Sequence, residues 1–113
     1  MARARWAENL VADFYQRNGY EIIARNWHCR EGELDLVVVS QEALVKIIVV
    51  VEVRARSSNY FGSALESITP AKQKKLCLAT KKFLVSQPNV YGAVRFDVAS
   101  VMGAKIEIVR DAF

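Results

Sequence analysis

The strongest constraint on the fold is Ile47-Ile48-Val49-Val50-Val51, five consecutive branched apolar residues that run straight into Glu52-Val53-Arg54. β-Branched side chains are stiff at χ1 and pack well on a pleated surface, so the run predicts a long strand over 44–56. Alternation puts Val45, Ile47, Val49, Val51 and Val53 on one face, and Lys46, Ile48, Val50, Glu52, Arg54 and Arg56 on the other. Because both faces carry branched apolar residues, both must be covered. The strand therefore belongs in the middle of a sheet with helices packed on it, not in a sheet with one wet face.

The remaining segments supply such a frame. Trp6, Leu10, Val11 and Phe14 recur at helical spacing, which predicts a helix over 4–18 that Asn18-Gly19 stops; Glu8 lies off that stripe. Segment 20–27 reads as a first strand, Arg30-Glu31-Gly32 as a turn, and a second strand follows to about residue 39. After 57–62, a polar loop ending in glycine, Thr69-Pro70 gives an N-cap with proline at the first helical position. That helix runs to about residue 87, with Leu76, Ala79 and Phe83 buried and Lys74, Lys75, Lys81 and Lys82 outside. Two strands, 93–101 and 105–110, close the chain around Gly103. The expected order is helix, three strands, helix, two strands. With 113 residues, 52% of them hydrophobic, the chain suffices for one closed core, so a single domain over 1–113 is expected.

No apolar run approaches the ~20 residues needed to span a bilayer, and no hydrophobic signal segment precedes Glu8, so a cytoplasmic protein is expected. Cys29 and Cys77 are far apart and lack metal-ligand spacing, which reads as two ordinary thiols. Trp6 and Trp27 are expected in the core and His28 at a turn. The net charge of +4 suits a polyanionic partner, with positives gathered at Arg3 and Arg5, at Arg54 and Arg56, and along the later helix.

The chemistry sits where acids interrupt apolar strands. Alternation puts Glu33 and Asp35 on one face of the second strand and Glu52 and Arg54 on one face of the third. If the two strands pair, Asp35 and Glu52 come close. Two buried carboxylates at short range cost several kcal/mol unless compensated, and hard divalent cations such as Mg²⁺ or Mn²⁺ take such oxygen ligands together with water and phosphate. The competing reading makes Glu52 and Arg54 a charge pair, with Asp35 capping a turn or pairing with Arg95. Arg95 and Asp97 are read as structural.

Gly32-Glu33-Leu34-Asp35-Leu36, Val51-Glu52-Val53-Arg54-Ala55-Arg56, Lys72 opening a helix, Arg95-Phe96-Asp97-Val98 and the terminal Ala112-Phe113 form an ordered set. It resembles the YraN-like family of bacterial proteins, whose fold belongs to the PD-(D/E)xK nuclease superfamily alongside archaeal Holliday-junction resolvases. The resemblance covers nearly the whole chain. It implies an α/β, restriction-endonuclease-like fold: a mixed central sheet of about five strands flanked by helices, in α-β-β-β-α-β-β order. Residue by residue, it implies Asp35 as the motif aspartate, Glu52 as the second acid and Glu8 as the helical glutamate that completes the acidic cluster. Arg54 stands where the motif has lysine. Arginine keeps the charge and can grip a phosphate, but it cannot lose its proton near neutral pH, so Lys72 or Gln73 is expected to supply what is missing.

The leading expectation is a Mg²⁺- or Mn²⁺-dependent endonuclease, a phosphodiesterase acting on structured DNA such as branched or repair and recombination intermediates. Glu8, Asp35, Glu52, Arg54 and Lys72 form its catalytic set, and Asp35 and Glu52 hold the metal. Arg56, Ser57, Lys74, Lys75, Lys81 and Lys82 are expected on nucleic-acid phosphates, with Tyr60 and Phe61 available to stack on bases. A nucleic-acid-binding domain without effective hydrolysis and a small protein-interaction domain with a basic face are the alternatives. A homodimer through the last strand is a further expectation, and no membrane contact is expected.

Overall fold

Residues Ile47–Ala55, the apolar run with its acidic end, form the middle strand of a five-stranded mixed sheet. The structure is a computed structural model that describes residues 5–40, 45–56 and 64–113. In chain order the elements are α1 (Arg5–Arg17), β1 (Tyr20–Cys29), β2 (Gly32–Ser40), β3 (Ile47–Ala55), a 3₁₀ turn (Ala64–Ser67), α2 (Pro70–Ser86), β4 (Ala93–Met102) and β5 (Lys105–Val109). The expected α-β-β-β-α-β-β order is the observed one, with the 3₁₀ turn added before α2. The sheet order is β1-β2-β3-β4-β5. All pairs are antiparallel except β3 with β4, which run parallel. A parallel pair needs a crossover, and α2 provides it.

The alternation of β3 holds as expected. Val49, Val51 and Val53 pack with Ala7, Val11, Ala12 and Tyr15 of α1, while Ile48 and Val50 pack with Leu76, Ala79 and Phe83 of α2. The sheet is thus sealed on both faces. Gly92, at the entry to β4, has φ +148°, and an added Cβ there would lie 2.3 Å from the Lys46 carbonyl oxygen, so only glycine fits this close approach. At the start of α2, Thr69 caps as expected: its hydroxyl accepts from the Lys72 amide at 3.2 Å with Pro70 in the first turn.

Two expectations about α1 are overturned. Trp6 is half exposed, and Glu8, placed off the apolar stripe by the sequence, is buried at 7% exposure among Ala7, Val11, Ala12 and Tyr15. The helix is rotated so that Tyr15 reaches under the sheet, where its hydroxyl donates to Asp97 Oδ2 at 2.7 Å. Leu10 and Phe14 flank this stripe instead of forming its centre. Trp27 lies against α2, edge-on to Phe83 with ring centroids 5.4 Å apart.

Asp97 and Arg95 are structural, as the sequence suggests. Asp97, 1% exposed, accepts from Arg95 Nε at 2.9 Å, Arg95 Nη2 at 3.0 Å and the Asp111 amide at 3.0 Å, besides Tyr15. Burial and the bond to Asp97 push the Tyr15 phenol well above its ordinary value, and the same carboxylate holds Arg95 more firmly protonated. This knot ties α1, β4 and the C-terminal segment together, and Phe113 stacks on Phe96 beside it at 4.9 Å. Among the described residues no helix is long and apolar enough to cross a membrane.

Candidate active site

Strict alternation fails in β2 at one place, and that place is Asp35. Leu34 packs on the α2 face and Leu36 on the α1 face, although period-2 geometry would put both on one side. The expectation that Glu33 and Asp35 simply share a face therefore does not hold. The β2–β3 ladder ends with Leu36 opposite Val51, where the next pair would have been Asp35 and Glu52. The Asp35 side chain continues the ladder in place of a carbonyl: its Oδ2 accepts from the Val53 amide at 2.9 Å.

This in-plane placement brings Asp35 beside Glu52. Glu52 follows the alternation of β3 onto the α2 face and is 6% exposed. Its carboxyl is pushed up to about 8, first by burial, then by the negative charge of Asp35 and the hydrogen bond between the two groups. Arg54 and Lys72 pull in the opposite direction. Burial beside Asp35 thus favours the protonated form of Glu52. Asp35 is only partly buried, which gives the pair a route to solvent.

The cations surround the pair. Arg54 Nη1 stands 3.4 Å from Glu52 Oε1, and Arg54 Nε donates to Ser67 Oγ at 3.1 Å. Lys72, partly buried in the first turn of α2, acts on Glu52 through its charge, so it reaches inward as its position in the helix suggests. The Gln73 side-chain amide donates to the Ile68 carbonyl at 3.2 Å and serves the start of the helix. Ser67 escaped the sequence reading, since a lone serine after an unassigned stretch carries no signal of its own.

Not every predicted residue joins this group. Among the described residues, no three His, Cys, Asp or Glu side chains gather closely enough to hold one ion, so Glu8 does not complete an acidic cluster with Asp35 and Glu52. Its place on the buried stripe of α1 follows from the helix rotation above. Lys74, Lys75 and Lys81 are exposed on α2. Lys82 is committed to Glu31, with Nζ 2.6 Å from Oε1 and 2.7 Å from Oε2, so it is not an open phosphate ligand. Arg56 is partly buried beyond β3, and its amide donates to the Val101 carbonyl at 2.7 Å. Ser57, Tyr60 and Phe61 lie outside the described residues. His28 is exposed, but within β1 opposite Glu33 and not at a turn, with its ring 3.6 Å from that carboxylate, and both cysteines are free thiols.

The donor set suits a hard divalent cation. It offers two neighbouring carboxylates, Asp35 partly exposed and Glu52 buried, and Mg²⁺ or Mn²⁺ commonly takes one or two carboxylates with water and phosphate completing the shell. It does not suit a thiophilic metal.

Comparisons with known proteins place this arrangement in a family. The family model described as "Uncharacterised protein family UPF0102" matches residues 7–101, a span that holds Glu8, Asp35, Glu52, Arg54, Ser67 and Lys72. A UPF0102 protein of Ralstonia nicotianae is 44% identical over 110 residues, covering 95% of this chain and 82% of the relative. A UPF0102 protein of Syntrophomonas wolfei is 39% identical over 112 residues, with 96% and 94% covered. The chain belongs to the UPF0102 family, the YraN-like bacterial family that its motifs resemble.

Proposed function

We propose that this protein is a metal-dependent endonuclease of the PD-(D/E)xK type, acting on structured DNA such as branched repair or recombination intermediates. The observation that carries the reading is the acid pair Asp35 and Glu52 at the acidic end of a central strand, flanked by Arg54 and Lys72. A structural charge pair needs one acid and one cation; two acids with a shared proton and two nearby cations fit a site that recruits a further positive charge and then a phosphate.

Asp35 and Glu52 would hold Mg²⁺ or Mn²⁺. When bound, such an ion polarises a phosphodiester oxygen and acidifies a coordinated water. The protein's own groups do the rest. Asp35 is fixed by the Val53 amide at Oδ2, so its carboxylate has a defined direction. Arg54, anchored at Nε by Ser67, presents its remaining N–H donors as a fork for a phosphate and offsets charge that builds on it. Lys72 orients the attacking water from the first turn of α2. Lys74, Lys75 and Lys81 extend the positive surface along the helix for backbone phosphates.

The engagement of Arg54 also favours a second reading. A guanidinium stays protonated and cannot act as base, so a domain that binds nucleic acid with little turnover fits the same geometry. Incubation of linear, flapped and four-way DNA with Mg²⁺ or Mn²⁺ separates the two. The nuclease reading expects cleavage of at least one substrate, lowered about 100-fold or more in Asp35→Asn. Equal cleavage by the native chain and Asp35→Asn would assign the activity to a contaminant. Salt-sensitive DNA binding with no cleavage would select the second reading.

A further inference from the structure

The face switch at Asp35 is shared by its neighbour on β1. Arg25 opposes Leu36 and Trp27 opposes Leu34, and the pair between them, Asn26 and Asp35, is missing from the ladder. Ala24 packs on the α2 face, Arg25 reaches Asn9 of α1, and Trp27 is again on the α2 face. β1 therefore turns over at Asn26, just as β2 turns over at Asp35. Asn26 has φ +52°, the left-handed region that asparagine tolerates and branched residues avoid.

We infer that Asn26 is the positioning residue of the acid pair: its left-handed backbone turns β1 and β2 over together and so swings the Asp35 carboxylate into the plane of the sheet. The causal chain is geometric. β1 carries one earlier irregularity, a register shift between Ile22 and Ala24, and from Ala24 on it runs residue for residue against β2. Were β1 extended at residue 26, that pairing would keep both strands alternating from there to the turn, and Leu34 and Leu36 would face the same side. One of them would leave its core, and Asp35 would project from the opposite face of the sheet. It could not then accept from the Val53 amide across the β2–β3 seam, nor share a proton with Glu52. Because both strands switch at the same register, each core stays filled on either side of the break. The irregularity costs little packing and yields one in-plane carboxylate. Such local departures from regular backbone tend to concentrate where function requires a particular side-chain direction.

The functional consequence rests on the reading of Asp35 and Glu52 as a metal-holding pair, but the positioning does not, and the test keeps the two apart. The Asp35 contact is read directly as a scalar coupling across the hydrogen bond from the Val53 amide nitrogen to the Asp35 carboxyl carbon, in labelled protein without metal. The native chain and Asn26→Gly are expected to show it, since glycine adopts the same backbone region. Asn26→Val, or Asn26→Ala if the valine variant does not fold, is expected to lose it while couplings between β3 and β4 persist. Mn²⁺ affinity should follow the same order, falling about tenfold or more in the valine or alanine variant and returning in Asn26→Gly. Persistence of the Val53–Asp35 coupling in folded Asn26→Val and Asn26→Ala, or its loss in Asn26→Gly, would overturn the inference. If the couplings behave as expected but the native chain binds no Mn²⁺, the positioning stands and the metal reading falls.

Discussion

Between about pH 4.5 and about pH 8, the native chain is expected to lose stability relative to Glu52→Gln, with a slope near 1.4 kcal/mol per pH unit. The sign follows from the raised carboxyl. In the unfolded chain Glu52 titrates at its ordinary value of 4.5; in the folded chain burial and Asp35 push it up to about 8. Through that window the folded state binds more protons than the unfolded one, so raising the pH favours unfolding. The contribution is fully present below the unfolded value and gone above the folded one, a total on the order of 3–5 kcal/mol. Glutamine keeps the shape and cannot titrate, so subtracting its urea-unfolding free energy at each pH isolates the Glu52 contribution from other groups. Parallel stability profiles for the two proteins would mean that Glu52 is not a buried, proton-holding partner of Asp35.

The second large effect lies away from the site. Removing the Asp97 carboxylate in Asp97→Ala should destabilise the protein by about 3–5 kcal/mol, because Arg95 would remain charged and largely buried with its main partner gone. For a domain of this size the corresponding drop in Tm is about 10–20 °C. Tyr15 and the Asp111 amide lose their acceptor at the same time. A double variant that also replaces Arg95 with methionine should recover much of the loss, since the cost comes from the stranded charge more than from the missing pair. A drop of less than 1 kcal/mol in Asp97→Ala would show that the knot is dispensable.

The legibility of this chain differs from residue to residue for physical reasons. β3 was readable because branched residues on both faces leave no other solution than a covered central strand. Thr69-Pro70 was readable because capping is local chemistry, and the capping bond is present. The proximity of Asp35 and Glu52 was anticipated, but by an incomplete route. Alternation alone does not predict the in-plane carboxylate, because the turnover at Asn26 depends on a single backbone dihedral in a segment whose composition reads as ordinary strand. In α1 the buried stripe is Ala7, Glu8, Val11, Ala12 and Tyr15, turned from the one that hydrophobic spacing alone suggests. Trp6 is the more hydrophobic group, yet the inward face carries Tyr15, whose hydroxyl donates to Asp97, 82 positions away in sequence. The commitment of Lys82 to Glu31 spans 51 positions and was equally invisible from local pattern.

If Asp35 and Glu52 together hold one hard divalent cation, as proposed, calorimetric titration of the protein with Mn²⁺ will detect it. One binding site is expected, with affinity that rises as pH increases toward the Glu52 midpoint because the ion must displace the proton that burial and Asp35 hold on Glu52. Binding should be lost in both Asp35→Asn and Glu52→Gln. Undiminished Mn²⁺ binding in both variants, or none in the native chain above that midpoint, would contradict it.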